Sequence, residues 1–142
     1  MAKLTDDIRA QLVAAAIAAR EKAYAPYSKF SVGAAVLGTD GKIYTGCNIE
    51  NVSYGMTMCA ERTALFKMVS EGCRKFAAIA VVAGENATDG APCGACRQVM
   101  GEFAGSLEDT EVLLASLKGD YIVESVASLM PYPFVNFVSQ ED

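Results

Sequence analysis

The chain has no histidine and no tryptophan among its 142 residues. Without imidazole, the commonest general base, Ser–His–acid and Cys–His catalysis are excluded. Acid–base chemistry must then fall to carboxylates or to a metal-activated water. Charge is scarce too: 20% of the residues are charged, 12 basic against 17 acidic, for a net charge of -5. With a pI near 4.7, the chain has no basic footprint for a phosphate backbone, which disfavours polymeric nucleic acid as a partner. Long apolar runs are also missing. None is longer than that over residues 12–19, which falls well short of the roughly 20 residues needed to cross a bilayer. No basic, apolar, small-residue leader opens the sequence, so the expectation is a soluble, cytoplasmic protein with no membrane partner.

What is present points to a single domain over residues 1–142, 52% hydrophobic. A chain of this length hides about 70% of its unfolded surface, enough for a core without disulfide staples. Five cysteines stand at Cys47, Cys59, Cys73, Cys93 and Cys96. An odd count without a leader argues for reduced thiols, either packed or bound to metal.

Apolar residues at Ile8, Leu12, Ala15, Ala16 and Ala19 recur at helical spacing. They predict a helix over residues 6–23 with Thr5 as N-cap, stopped by Pro26. Residues 30–37 and 42–47 read as a hairpin turned by Thr39-Asp40-Gly41. A polar loop over 48–58 precedes a helix over 59–69 that Gly72 closes. The continuous apolar run over 76–83 predicts a strand covered on both faces. A helix over 93–103, strands over 112–117 and 121–124, and a short helix over 126–129 complete the chain. The alternation predicts an α/β fold: a three-layer α/β/α sandwich around a mixed five-stranded sheet.

Two motifs carry chemistry, Cys59-Ala60-Glu61 and Pro92-Cys93-Gly94-Ala95-Cys96, each opening a predicted helix after a loop. A helix N-terminus presents unpaired N–H groups and a positive dipole end, which favour the thiolate. Three soft sulfur ligands point to zinc. They leave its fourth position open, as in catalytic rather than structural sites. Glu61 sits beside such a metal without ligating it. Three thiolates on a divalent ion leave a net negative cluster, so a cation is needed nearby. Arg62 and Arg97 each follow a motif directly, and either is placed to bond a thiolate.

Four blocks in order, Tyr24-Ala-Pro-Tyr-Ser-Lys-Phe30, Gly46-Cys-Asn-Ile-Glu-Asn51, Cys59-Ala-Glu-Arg-Thr-Ala-Leu65 and Pro92-Cys-Gly-Ala-Cys-Arg-Gln98, resemble the small, homotetrameric, zinc-dependent cytidine deaminases. The resemblance covers nearly the whole chain. It implies hydrolytic deamination of cytidine and 2′-deoxycytidine to uridine and 2′-deoxyuridine, with one zinc per subunit. In that family Cys59, Cys93 and Cys96 would hold zinc, whose water attacks C4 of the cytosine ring. Glu61 would carry the proton to N3 and then help ammonia leave, and Arg62 would neutralise thiolate charge. Asn48 and Glu50 would hold the ribose hydroxyls, Phe30 would pack on the nucleoside, and the Ala60 N–H would bond the ring carbonyl. Tyr54 and a C-terminal aromatic would reach into a neighbouring subunit's site, so the complete site would need the homotetramer.

The family tail carries an aromatic that closes on the base. Leu129-Met-Pro-Tyr-Pro-Phe134 keeps its frame and makes Phe134 the candidate, whereas residues 135–138 depart from it. Cys47 and Cys73 read as inert packing. Three competing readings are a deaminase of a modified cytosine nucleoside of the blasticidin-S type, a structural zinc domain, and a CxxC dithiol oxidoreductase. The Asn48–Glu50 pair favours a plain ribose over the first. Glu61 speaks against the second, and Cys59-Ala-Glu61 is left unexplained by the third.

Overall fold

The structure is a computed structural model, and it describes residues 4–137. Val138, the last residue of the departing tail stretch, lies outside them. Helix α1 (Asp6–Arg20) opens with Thr5 in extended conformation, whose hydroxyl accepts from the Ile8 N–H at 3.2 Å as expected of an N-cap. The helix ends at Arg20, three residues before the predicted end at residue 23. Tyr24 is already engaged: its N–H donates to the Asn48 carbonyl, and its own carbonyl accepts from the Glu50 N–H. This pairing across the chain takes the backbone out of the helix before proline can act.

Strands β1 (Gly33–Gly38) and β2 (Ile43–Cys47) form the expected hairpin, turned at Gly41 with φ +84°. Strand β1 begins three residues after Phe30, the predicted start, because the Asn48 side chain holds residues 30–32 in another shape. Its Oδ1 accepts from the Val32 N–H and its Nδ2 donates to the Phe30 carbonyl. After α2 (Ala60–Ser70) come β3 (Phe76–Val82), α3 (Gly94–Phe103), β4 (Glu111–Ala115) and β5 (Tyr121–Ser125). The short helix expected last is one 3-10 turn, Ala127–Leu129.

The sheet order is β2-β1-β3-β4-β5, with β3 and β4 parallel and every other pair antiparallel. Alternate side chains of the inner strands point to opposite faces. Leu12, Val13 and Ala16 of α1 pack on Ala35, Ala78, Ala80 and Val82, while Ala64, Leu65 and Met68 of α2 and Met100 of α3 pack on Val36, Ile79 and Val81. These two cores make the three expected layers. The whole of β3 is buried, as its unbroken apolar run predicts.

The register also fixes where a site can form. Gly33 pairs with both Cys47 and Val82, so the start of β1, the end of β2 and the end of β3 lie together at one end of the strands. The loops leaving that end carry Phe30, Asn48 with Glu50, and the approach to Cys93.

Candidate active site

Cys59 and Cys93 are the N-cap residues of α2 and α3, and Cys96 lies in the first turn of α3. Two helix starts thus meet with three thiols, as the motif spacing predicts. Close approach of α2 to the sheet depends on Gly46 of β2. A Cβ there would lie 2.5 Å from the Ala64 nitrogen and 2.7 Å from the Ala60 carbonyl oxygen. The antiparallel bridge between Ile49 and Met58, bonded 2.9 Å in both directions, then closes the 49–58 loop and brings Cys59 back beside Glu50.

The three Sγ atoms lie within 4.8 Å of one another, and Cys93 and Cys96 are 3.6 Å apart. Tetrahedral zinc with Zn–S bonds of about 2.3 Å sets its sulfurs roughly 3.8 Å apart, so the donor set fits the ion in chemistry and in scale. Cys47 and Cys73 stand apart from the cluster. Cys73 is buried and directs its thiol to the Lys75 carbonyl at 3.3 Å.

Electrostatics favour a thiolate at this position. The neighbouring Cys96 thiol lowers the Cys59 thiol to about 5, with Arg62 adding to the effect against the opposing cost of burial. Cys96 moves the opposite way, pushed up by its Cys59 neighbour and by burial. Of the two, Cys59, beside the guanidinium, is the one that ionises first. The Nη2 of Arg62 donates to Cys59 Sγ at 3.3 Å, as expected. Arg97 bonds backbone carbonyls of Pro92 and Leu129 instead of a thiolate.

Glu61 is 4% exposed. Burial first, and then the Cys59 charge, push its carboxyl up to about 7, although its own backbone N–H, Cys96 and Arg62 pull it down. A carboxyl poised near neutrality suits both accepting and returning a proton.

A cleft of about 240 Å³ opens beside the thiols, lined by Phe30, Asn48, Glu50, Cys59, Ala60, Glu61 and Cys93 among others. The structure therefore gathers most of the anticipated residues. Tyr54 and Phe134 are not among them. Tyr54 is 75% exposed and stacks edge-on against Tyr27 at 5.9 Å in an adjoining cavity of about 250 Å³. The two cavities share Ser28, Glu50 and Thr57. Each is below the roughly 300 Å³ at which ligand sites usually begin. Phe134 is 64% exposed and packs edge-on against Phe137, with its carbonyl held by Gln98 Nε2 at 2.7 Å.

The structure also brings in residues that the motifs did not single out. Glu50 accepts hydrogen bonds from the Tyr27 and Ser28 N–H groups and from the Ser28 hydroxyl. The Ser28 bonds lead in lowering its carboxyl below the usual range, so it stays ionised. Ser28 Oγ also accepts from the Phe30 N–H at 3.0 Å, while Lys29 between them adopts φ +60°. Serine two residues ahead of an aromatic is a readable turn signal for this feature. Asp89 enters the cleft wall, its carboxylate bonded to the Asn86 N–H at 3.0 Å.

A larger depression of about 460 Å³ lies at the opposite end of the strands, around the Arg9–Glu111 ion pair. Its lining contains no thiol.

Residues 7–107 match the cytidine and deoxycytidylate deaminase zinc-binding region. The chain is 56% identical over 135 residues to a cytidine deaminase of Sporosarcina psychrophila, covering 93% of this chain and 92% of that protein. A crystal structure of cytidine deaminase from Burkholderia pseudomallei is 52% identical with TM-score 0.80, covering 92% of this chain and all of the other. The Mycobacterium tuberculosis cytidine deaminase structure is 38% identical with TM-score 0.74, over 87% and 94%.

Proposed function

The chain belongs to the cytidine and deoxycytidylate deaminase family, and from that membership we propose the roles of its residues in the zinc-dependent hydrolysis of cytidine and 2′-deoxycytidine to the uridines and ammonia. The observation that carries this reading is the buried Glu61 carboxyl beside three convergent thiols. A structural metal site has no use for such a group.

Cys59, Cys93 and Cys96 would hold the zinc. When bound, the ion lowers the pKa of a water from about 15.7 toward about 7. The chain's own residues do the rest. Glu61 takes a proton from the attacking water and delivers it to ring N3 as the C4–O bond forms, then takes the proton of the new C4 hydroxyl and passes it to the departing amino group as the C4–N bond breaks, leaving the uracil carbonyl and ammonia. Its burial in the cleft wall keeps bulk water from competing for the proton in either transfer. Arg62 offsets the third thiolate charge.

The Ala60 N–H belongs to the first helical turn, where N–H groups have no intrahelical acceptor. It is thus free to bond the ring carbonyl. Phe30 packs against the nucleoside. Asn48 and Glu50 bind the ribose hydroxyls, Asn48 with the N–H left over after it holds Phe30 and Glu50 as an ionised acceptor. With Glu50, Glu61 and Asp89 in its wall and no lysine or arginine, the cleft suits an uncharged nucleoside rather than a nucleotide.

The small paired cavities and the exposed rings of Tyr54 and Phe134 support a homotetramer whose sites are completed by neighbours. The five free thiols fit a reducing cytoplasm, and no helix among the described residues is long and apolar enough to cross a membrane. The same residues act within one domain. Ammonia release from cytidine and deoxycytidine by the zinc-loaded chain tests the reading, and no release from either substrate overturns it.

A further inference from the structure

We infer that Arg97 is a positioning residue for Cys93 and ties metal retention to the C-terminal turn. The inference rests on the proposed zinc reading. The three thiols differ in how their surroundings restrain them: Cys96 is buried, Cys59 half-buried and Cys93 exposed. Cys93 therefore has the least side-chain packing to hold its sulfur in place, and its side chain makes no capping bond to the helix it begins. The restraint comes from the backbone on either side. Arg97 Nε donates to the Pro92 carbonyl at 2.8 Å, and the Arg97 N–H donates to the Cys93 carbonyl at 3.0 Å. One residue thus grips the carbonyls immediately before and after the Cα of Cys93.

The second half of that grip is ordinary helix bonding that any residue would supply. The first belongs to the guanidinium. Pro92 is buried, and a buried carbonyl needs a partner. Arg97 Nη1 also reaches the Leu129 carbonyl at 3.2 Å, at the end of the Ala127–Leu129 turn. The planar, rigid fork of arginine spans two carbonyls that come from segments far apart in the chain, which lysine cannot match in geometry. Gln98, the next residue, holds the Phe134 carbonyl and makes no such bond to the Pro92–Cys93 peptide.

The test measures zinc release to an excess of a chromogenic chelator by the loaded protein and by Arg97→Gln, Arg97→Lys and Gln98→Ala. Alkylation of each cysteine is followed in parallel by peptide mass. The expected result is one zinc per chain in the parent and release about tenfold or more faster in Arg97→Gln. Arg97→Lys should fall between the two, and Gln98→Ala should match the parent. Cys93 should be alkylated faster in the Arg97 variants than in the parent, at an unfolding midpoint close to the parent's. Arg97→Lys keeps the charge and the aliphatic stem, so it carries the measurement if Arg97→Gln fails to fold. Parental release rates in the Arg97 variants overturn this inference alone. So does Gln98→Ala releasing zinc as fast as Arg97→Gln, since any loosening of the tail would then suffice. A parent that binds no zinc overturns the underlying reading and the inference with it.

Discussion

The guanidinium of Arg62 donates to the thiol sulfur of Cys59 across 3.3 Å, one turn along the helix that Cys59 caps. Its Nε is buried without a hydrogen-bond partner, so this cation is held in place for its charge at some cost in desolvation. Arg62→Gln should keep the fold and reduce zinc affinity or turnover by roughly 10- to 100-fold. Metal content and kcat of the variant, measured with zinc in excess and again after dialysis, check this. Parental values in both would show that thiolate charge needs no local compensation.

Gly46 makes a second point of dependence, because α2 crosses β2 where a Cβ would meet the Ala60 and Ala64 backbone. Backbone cannot yield as a flexible side chain does. Gly46→Ala should therefore destabilise the fold by about 1–3 kcal/mol and reduce turnover by shifting the start of the helix that carries Cys59 and Glu61. Urea unfolding and steady-state kinetics would show both losses together. An unchanged midpoint would mean that the layer adjusts without cost.

Burial of Glu61 has a consequence for stability in the metal-free chain. Its carboxyl is raised from 4.5 to about 7, so between those values the folded state binds more proton than the unfolded state does. The Glu61 contribution is then fully favourable below about 4.5 and is lost as pH rises through about 7. Cys59, lowered to about 5, works in the opposite direction, and comparison with a variant reports the carboxyl together with its coupling to that thiol. Metal-free Glu61→Gln should gain stability relative to the parent between pH 5 and 8, on the order of 1–3 kcal/mol. Denaturant titrations at the two pH values measure it. A difference that does not vary with pH would contradict the burial effect.

Much of this site is legible in the amino-acid sequence. Thiols next to Pro92, or just after a polar loop, fall at helix starts because punctuation and periodicity agree there. The layers follow from the unbroken apolar run of β3 and the α1 stripe. What the sequence hides depends on pairing across the chain. Asn48 reads as a ribose ligand, and its first task in the fold is to shape residues 30–32. Arg97 reads as suited to a thiolate as Arg62 does, yet it lies on carbonyls, one of them 32 residues away. The end of α1 falls short of its expected place for the same reason, since Tyr24 pairs with residues 48–50 before Pro26 is reached. Local propensity cannot register a partner that only the folded chain supplies.

The most direct test is single-turnover release of ammonia from cytidine by the zinc-loaded parent and by Glu61→Gln, with metal content determined on the same samples. One zinc per chain and an intact fold are expected in both, with the rate in the variant lower by about 10² or more. Equal zinc with an unchanged rate would contradict the claim that Glu61 moves the proton.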